Sequence, residues 1–201
     1  YNIYIGSYAT SLGTINANAV SFNGLLGDNY RNYIYFRYGS LGALTNCTFD
    51  NVELSLSSSS PTVQNATFKN CSYLMEFIDE CSPVISGTTI VNCENPGIAF
   101  KGTINTDHTY QNYGLPYYLS STLAVRNGAT LTFASGDTIY YVATYDITIG
   151  YNSTNTGKII ADNVHFNGVS STSTSDQLYF YPSSAGTISN CTFHKLDVFV
   201  S

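Results

Sequence analysis

Apolar and polar residues alternate along this chain over runs of three to five positions, and Gly, Asn and Ser separate the runs. Leu54-Ser-Leu56, Leu123-Ala-Val125, Leu131-Thr-Phe133, Ile139-Tyr-Tyr141 and Ile147-Thr-Ile149 are examples. A period of two predicts short strands buried on one face, and the intervening residues are turn formers. Tyr, Thr, Phe, Val and Ile favour strands, and helix-forming Ala-Leu-Glu-Lys stretches are almost absent.

The pattern repeats at long range. Slid on itself by 144 positions, the chain places Tyr1, Ile3, Ile5, Gly6, Thr10, Gly13, Ile15, Ala17, Val20, Phe22, Asn23 and Gly24 on Tyr145, Ile147, Ile149, Gly150, Thr154, Gly157, Ile159, Ala161, Val164, Phe166, Asn167 and Gly168. Without a gap, Tyr35-Phe36 then meets Tyr179-Phe180, and Asn46-Cys-Thr-Phe49 meets Asn190-Cys-Thr-Phe193. Residues 1–144 therefore read as one full super-repeat and residues 145–201 as the start of the next, continuous and without a linker. The second copy stops in mid-pattern and the only Met is Met75, so the chain reads as a window of a longer protein.

A shorter period lies inside the unit. Ser60-Pro-Thr-Val-Gln-Asn-Ala-Thr-Phe-Lys-Asn-Cys71 aligns with Ser82-Pro-Val-Ile-Ser-Gly-Thr-Thr-Ile-Val-Asn-Cys93 at an offset of 22, and Phe49 precedes Phe68 by 19. About three strands per coil of about 22 residues give an all-β chain: a right-handed parallel β-helix, or β-solenoid. At ~4.8 Å per coil, six coils in a super-repeat advance about 29 Å. Asn51, Asn70 and Asn92 fall in one column, which predicts an asparagine ladder at a sharp turn, with Asn70 buried. The next column is Val52, Cys71 and Cys93, so these Cys are expected to act as small buried apolar groups. The five Cys form no CxxC metal spacing.

The stretch Gly114–Tyr141, with its Asn-Gly-Ala turn between strands, and the recurrent Asn-Cys-Thr-Phe resemble the right-handed β-helix, or pectin-lyase-like, superfamily, in particular its repetitive cell-surface adhesins and fibres. The resemblance implies the fold. It leaves function open, because the superfamily holds lyases, hydrolases, tailspikes, adhesins and fibres.

Composition narrows the choice. Only 10% of residues are charged, with 7 Lys+Arg against 13 Asp+Glu. This argues against nucleic acid, whose phosphates require clustered basic residues. No apolar run is long enough for a membrane span. A Ser/Thr/Asn/Tyr-rich composition suits an extracellular or cell-surface setting.

Catalytic sets are not evident. Lyase-like sites of the resembled superfamily need an acidic cluster with a basic residue. None of Arg31, Arg37, Lys69, Lys101, Arg126, Lys158 and Lys195 sits beside a group of acids at coil spacing in the sequence. Asn105-Thr-Asp107, followed by His108, resembles one element of a hydrolase site, but its companion elements are missing and a polar loop is expected. Glu76, Asp79 and Glu80 are expected in a solvated turn rather than around Ca²⁺. His165 and His194 replace Ser21 and Asp50 of the other copy and are expected at the surface.

Asn46, Asn65, Asn70, Asn152 and Asn190 head N-x-[ST] sequons. Asn46, Asn65, Asn152 and Asn190 are the candidates for N-glycans, with a second polar Asn stack as the competing account of the first two and the last. Tyr117, Tyr118 and Tyr140 are candidates for an outward aromatic surface able to stack on sugars. The expected function is a structural shaft of an extracellular filament or surface fibre, without enzymatic activity, metal or cofactor. Its partners are further copies of the repeat, in the same chain or by self-assembly, and glycans. A carbohydrate-binding adhesin is the alternative, and a polysaccharide lyase or hydrolase a remote one.

Overall fold

The computed structural model describes residues 2–7, 11–25, 31–168 and 176–201. Positions Tyr1 and Thr10 of the patterns above lie outside them. The described residues form strands and turns without helix, as two compact units, Tyr1–Ile98 and Ala99–Ser201. Each is a stretch of parallel β-solenoid with three strands per coil, about eight turns in all.

The first unit holds four coils. They are β1 (Ile3–Ile5), β2 (Thr14–Asn18) and β3 (Ser21–Asn23); β4 (Tyr33–Arg37), β5 (Leu41–Thr45) and β6 (Thr48–Asp50); β7 (Glu53–Ser57), β8 (Thr62–Gln64) and β9 (Thr67–Lys69); and β10 (Met75–Ile78), β11 (Val84–Ser86) and β12 (Thr89–Val91). Each strand pairs in parallel with its counterpart one coil on, giving the sheets β1-β4-β7-β10, β2-β5-β8-β11 and β3-β6-β9-β12. Parallel register stacks like on like. Phe22, Phe49 and Phe68 share one inward column. Their rings stack at 5.3 and 4.8 Å, and Phe49 and Phe68 are fully buried.

The corners explain the Asn pattern. Between the second and third sheets the corner residue is Ala19, Asn46, Asn65 or Gly87; after the third sheet it is Asn51, Asn70 or Asn92. All seven have φ between 45° and 65°. Asn tolerates this left-handed region better than other side chains. The expected ladder of Asn51, Asn70 and Asn92 thus exists as a backbone column, with φ 54° at each. Its side chains do not form an amide stack, which corrects the sequence expectation. Asn70 is exposed and its Nδ2 donates to Asp50 Oδ1 at 2.7 Å. The amides stack instead at the other corner, where Asn65 Nδ2 donates to Asn46 Oδ1 (3.2 Å) and Asn46 Nδ2 to Asn18 Oδ1 (2.9 Å). The cause is neighbour identity: the second corner offers Asp50 as the stronger acceptor.

The second unit contains all but the first residue of β13 (Ile98–Ile104), then β14 (His108–Tyr110), β15 (Tyr117–Val125), β16 (Thr130–Phe133), β17 (Thr138–Tyr141), β18 (Asp146–Ile149), β19 (Lys158–Asp162), β20 (His165–Asn167), β21 (Gln177–Phe180), β22 (Ala185–Ser189), β23 (Thr192–His194) and β24 (Asp197–Val200). Strand β15 spans two faces. Its Tyr117–Leu119 pairs with β17, and its Leu123–Val125 with β18. No residue of β15 has positive φ, so the chain passes from one face to the next there without a left-handed corner. From it run the ladders β17-β20-β23 and β18-β21-β24, beside a third sheet β14-β16-β19-β22.

Positions 144 apart hold the same register. In the first unit Ile3 pairs with Ile34 and Ile34 with Leu54; in the second, Ile147 pairs with Leu178 and Leu178 with Val198. Phe22–Phe49 and Phe166–Phe193 likewise match, with ring spacings of 5.3 and 5.1 Å. Gly6 and Gly150 have φ of 76° and 84°, and a Cβ at either would collide with Ser40 Oγ or Ser184 Oγ. Those hydroxyls accept from Gly13 N–H (3.1 Å) and Gly157 N–H (3.3 Å), so each glycine leaves room for the same cross-coil hydrogen bond.

Candidate functional site

The densest group of rings and charges in the first unit lies on the outer face of the β1-β4-β7-β10 sheet. Inward Ile34, Phe36, Leu54 and Leu56 alternate with outward Tyr33, Tyr35, Glu53 and Ser55. Tyr4 opposes Tyr35, and their rings stack at 4.9 Å with 6° between planes. The Arg37 guanidinium sits 4.7 Å from the Tyr4 centroid and 5.1 Å from that of Tyr35. Tyr33 packs against Tyr35 at 5.1 Å.

Beside the stack, Arg31 Nη1 lies 3.8 Å from Glu53 Oε2, donates to Tyr33 Oη at 3.5 Å, and places its guanidinium 5.3 Å from the Tyr73 ring centroid. Glu53 is 3% exposed. Its Oε1 accepts from Ser72 N–H (3.0 Å) and Tyr73 N–H (3.3 Å). Burial raises the Glu53 pKa, against the lowering by Arg31 and the two amides; nearby Glu76 adds to the rise. Burial likewise pushes the Tyr33 hydroxyl up to about 12. Arg31 thus pairs with one acid, Glu53, and not with a group of acids. The signal was the coil register: Glu53 opposes Tyr33 and Glu76 opposes Ser55. Glu76 is not in a solvated turn, since it belongs to β10 and is 9% exposed. Among the described residues no three acids, His or Cys come together as a metal site.

The second unit has its own groups. Tyr118 and Tyr140 are neighbours on the outer face and stack at 5.3 Å and 19°. Tyr117, expected on this surface, is fully buried: it faces inward opposite Ile139, and its hydroxyl donates to Gln111 O at 2.7 Å. Strand alternation separates it from Tyr118. Tyr140 is 40% exposed and lines a groove of about 450 Å³ with Asn112, Leu115, Pro116, Asp137 and Thr138. Asp137 is 2% exposed and its carboxyl has no side-chain partner; burial lifts its pKa to about 7, eased only by the Ala134 amide. His108 is not in a polar loop. It starts β14, is buried, and packs edge-on to Tyr110 at 4.8 Å. Asp107 Oδ1 accepts from Thr130 N–H at 2.7 Å, so it ties successive coils together. His165 faces outward on β20, part-covered, with Nδ1 2.7 Å from Thr192 Oγ1; His194 is exposed.

The sequon residues divide. Asn46, Asn65 and Asn190 occupy corners with φ of 51° to 55°. Asn190 Nδ2 donates to Asp162 Oδ1 at 2.9 Å; the Ser189 hydroxyl and, after it, this amide hold that carboxyl below its ordinary value. Asn152 lies in an exposed loop between β18 and β19. All five Cys are free thiols. Cys71 is buried and its thiol donates to Val52 O at 3.3 Å, whereas Cys93 is half-buried rather than fully inside.

The chain matches no family model, no curated protein and no solved structure.

Proposed function

We propose that this chain is a segment of an extracellular structural shaft built from tandem β-solenoid super-repeats, of the right-handed, pectin-lyase-like type. One observation carries the proposal: the 144-residue offset preserves inward residues and coil register, while several outward residues change and others, such as Tyr35 and its counterpart Tyr179, are kept. Ile3, Phe22, Ile34 and Phe49 correspond to Ile147, Phe166, Leu178 and Phe193, with like pairing in both copies. Outward Tyr4, Tyr33, Arg37 and Glu53 correspond to Thr148, Gln177, Tyr181 and Asp197. A duplicated scaffold that holds its core and lets its surface drift is what a shaft requires.

Fibre diffraction and electron microscopy of the native material test this. A filament with a ~4.8 Å axial reflection and a longer period near ~29 Å supports the shaft. A discrete particle that depolymerises polyuronides overturns it.

A second reading, carbohydrate contact, is favoured by the Tyr118–Tyr140 stack at the edge of the 450 Å³ groove. Flat aromatic faces flanked by polar groups suit pyranose rings. This role is compatible with a shaft that presents binding groups along its side.

A further inference from the structure

Of the five sequon asparagines, we propose that Asn152 is the N-glycan acceptor and that the other four are structural. The proposal rests on the extracellular part of the function proposed above. N-glycosyl transfer joins Nδ2 to the anomeric carbon of the sugar of a polyprenyl-diphosphate oligosaccharide. The carbon–oxygen bond to the diphosphate breaks, the lipid diphosphate leaves with the bonding electrons, and an Nδ2 proton passes to a base of the transferase. The acceptor therefore needs a reachable, uncommitted Nδ2, and donors on Oδ1 help by drawing electron density from the amide and making its N–H more acidic.

Asn152 meets both conditions. It is exposed, in the loop Tyr151-Asn-Ser-Thr-Asn155. Its Oδ1 accepts from Thr154 N–H at 3.0 Å, Thr154 Oγ1–H at 2.9 Å and Asn155 N–H at 2.8 Å. The sequon hydroxyl thus already bonds the acceptor amide through its oxygen. Among the described residues no acceptor engages Asn152 Nδ2. The loop is anchored by Tyr151 N–H to Asn155 O at 2.8 Å and by Asn127 N–H to Asn155 Oδ1 at 2.8 Å, so this arrangement is held in place.

The corner sequons are arranged the opposite way. The nitrogens of Asn46, Asn65, Asn70 and Asn190 donate to Asn18, Asn46, Asp50 and Asp162. Thr48, Thr67 and Thr192 each begin a strand, where their N–H groups donate to Val20 O, Cys47 O and Val164 O of the preceding coil. Ser72 N–H donates to Glu53 Oε1. In each of these sequons the third residue is committed to the coil stack and does not donate to the Asn oxygen. The sequence repeat agrees in part: Asn46 and Asn190 are retained across the 144 offset, as a corner should be, whereas Asn152 answers to Tyr8.

The test is to secrete the full chain from a glycosylating eukaryotic host and map each sequon peptide by mass spectrometry, with enzymatic deglycosylation in heavy-oxygen water. The expected result is a glycan on most copies of the Asn152 peptide, bare corner peptides, and complete loss of glycan in Asn152→Gln. Thr154→Val, which keeps the N–H donor and removes the hydroxyl, is expected to lose it as well. A bare Asn152, or comparable occupancy at Asn46, Asn65, Asn70 or Asn190, overturns the assignment. Neither of those outcomes bears on the shaft, which stands or falls on the imaging.

Discussion

Asn65 Nδ2 donates to Asn46 Oδ1 at 3.2 Å, and both residues hold the left-handed corner conformation, with φ of 51° and 55°. The pair does two things at once: it relieves the strain of a sharp turn and links consecutive coils. Asn65→Ala removes the side-chain bond, at about 1 kcal/mol, and puts a Cβ without compensation in a region that costs ~1–2 kcal/mol. Asn65→Gly loses only the bond, since glycine adopts positive φ freely, as Gly87 does at φ 65° one coil on. Denaturant unfolding should therefore rank wild type above Gly and Gly above Ala. An Ala variant as stable as Gly would contradict this account of the corner.

The stacked Phe column should be the most sensitive part of the core. Phe68 is fully buried, with its ring 4.8 Å from Phe49. Phe68→Ala is expected to cost about 3–5 kcal/mol, while Phe68→Leu should cost less. The opposing residue in the next coil is Ile90, so an aliphatic group is already accepted in this column. Chemical denaturation of the two variants measures the difference.

Asp137 predicts a pH dependence with a definite sign. Burial raises its pKa in the fold to about 7 from an ordinary value of 3.8. The folded state then holds the proton more tightly than the unfolded chain. Its contribution is fully present below pH ~4 and is lost as pH rises through ~7. Asp137→Asn should be more stable than wild type at pH 8, by on the order of 2 kcal/mol, and nearly equal to it at pH 4. Thermal melts of both proteins across pH 4 to 8 check this, and parallel curves would refute it.

The Cys71 thiol should be unreactive while the fold is intact. Burial is the main cause that pushes its pKa up to about 12, with neighbouring Cys93 adding to the rise. The thiolate is the nucleophile, so a buried thiol with so high a pKa is protected twice. Iodoacetamide at pH 8 is expected to label Cys93 and Cys191 before Cys71 and Cys81, whose labelling should follow unfolding. Peptide mass spectrometry over time reads the order. Early labelling of Cys71 would mean that the corner opens readily.

Much of this molecule is written in local pattern. The alternation of Leu54-Ser-Leu56 or Leu131-Thr-Phe133 sets which side chain faces inward, because a strand can do nothing else with a period of two. The 144-residue offset fixed equivalent positions, since parallel coils stack like residues and repeated sequence then repeats register. The corner columns of Asn were visible because positive φ selects few residue types. Side-chain partnerships across coils were decided only by the tertiary structure. Asn70 turned to Asp50 rather than to Asn51, Arg31 met Glu53, and Tyr117 went inside while Tyr118 stayed out. Each of these depends on coil length. Ile3 and Ile34 pair across one coil of 31 residues and Ile34 and Leu54 across the next of 20. Such unequal loops place residues far apart in sequence within hydrogen-bond reach, and no single spacing in the sequence announces which of them will meet.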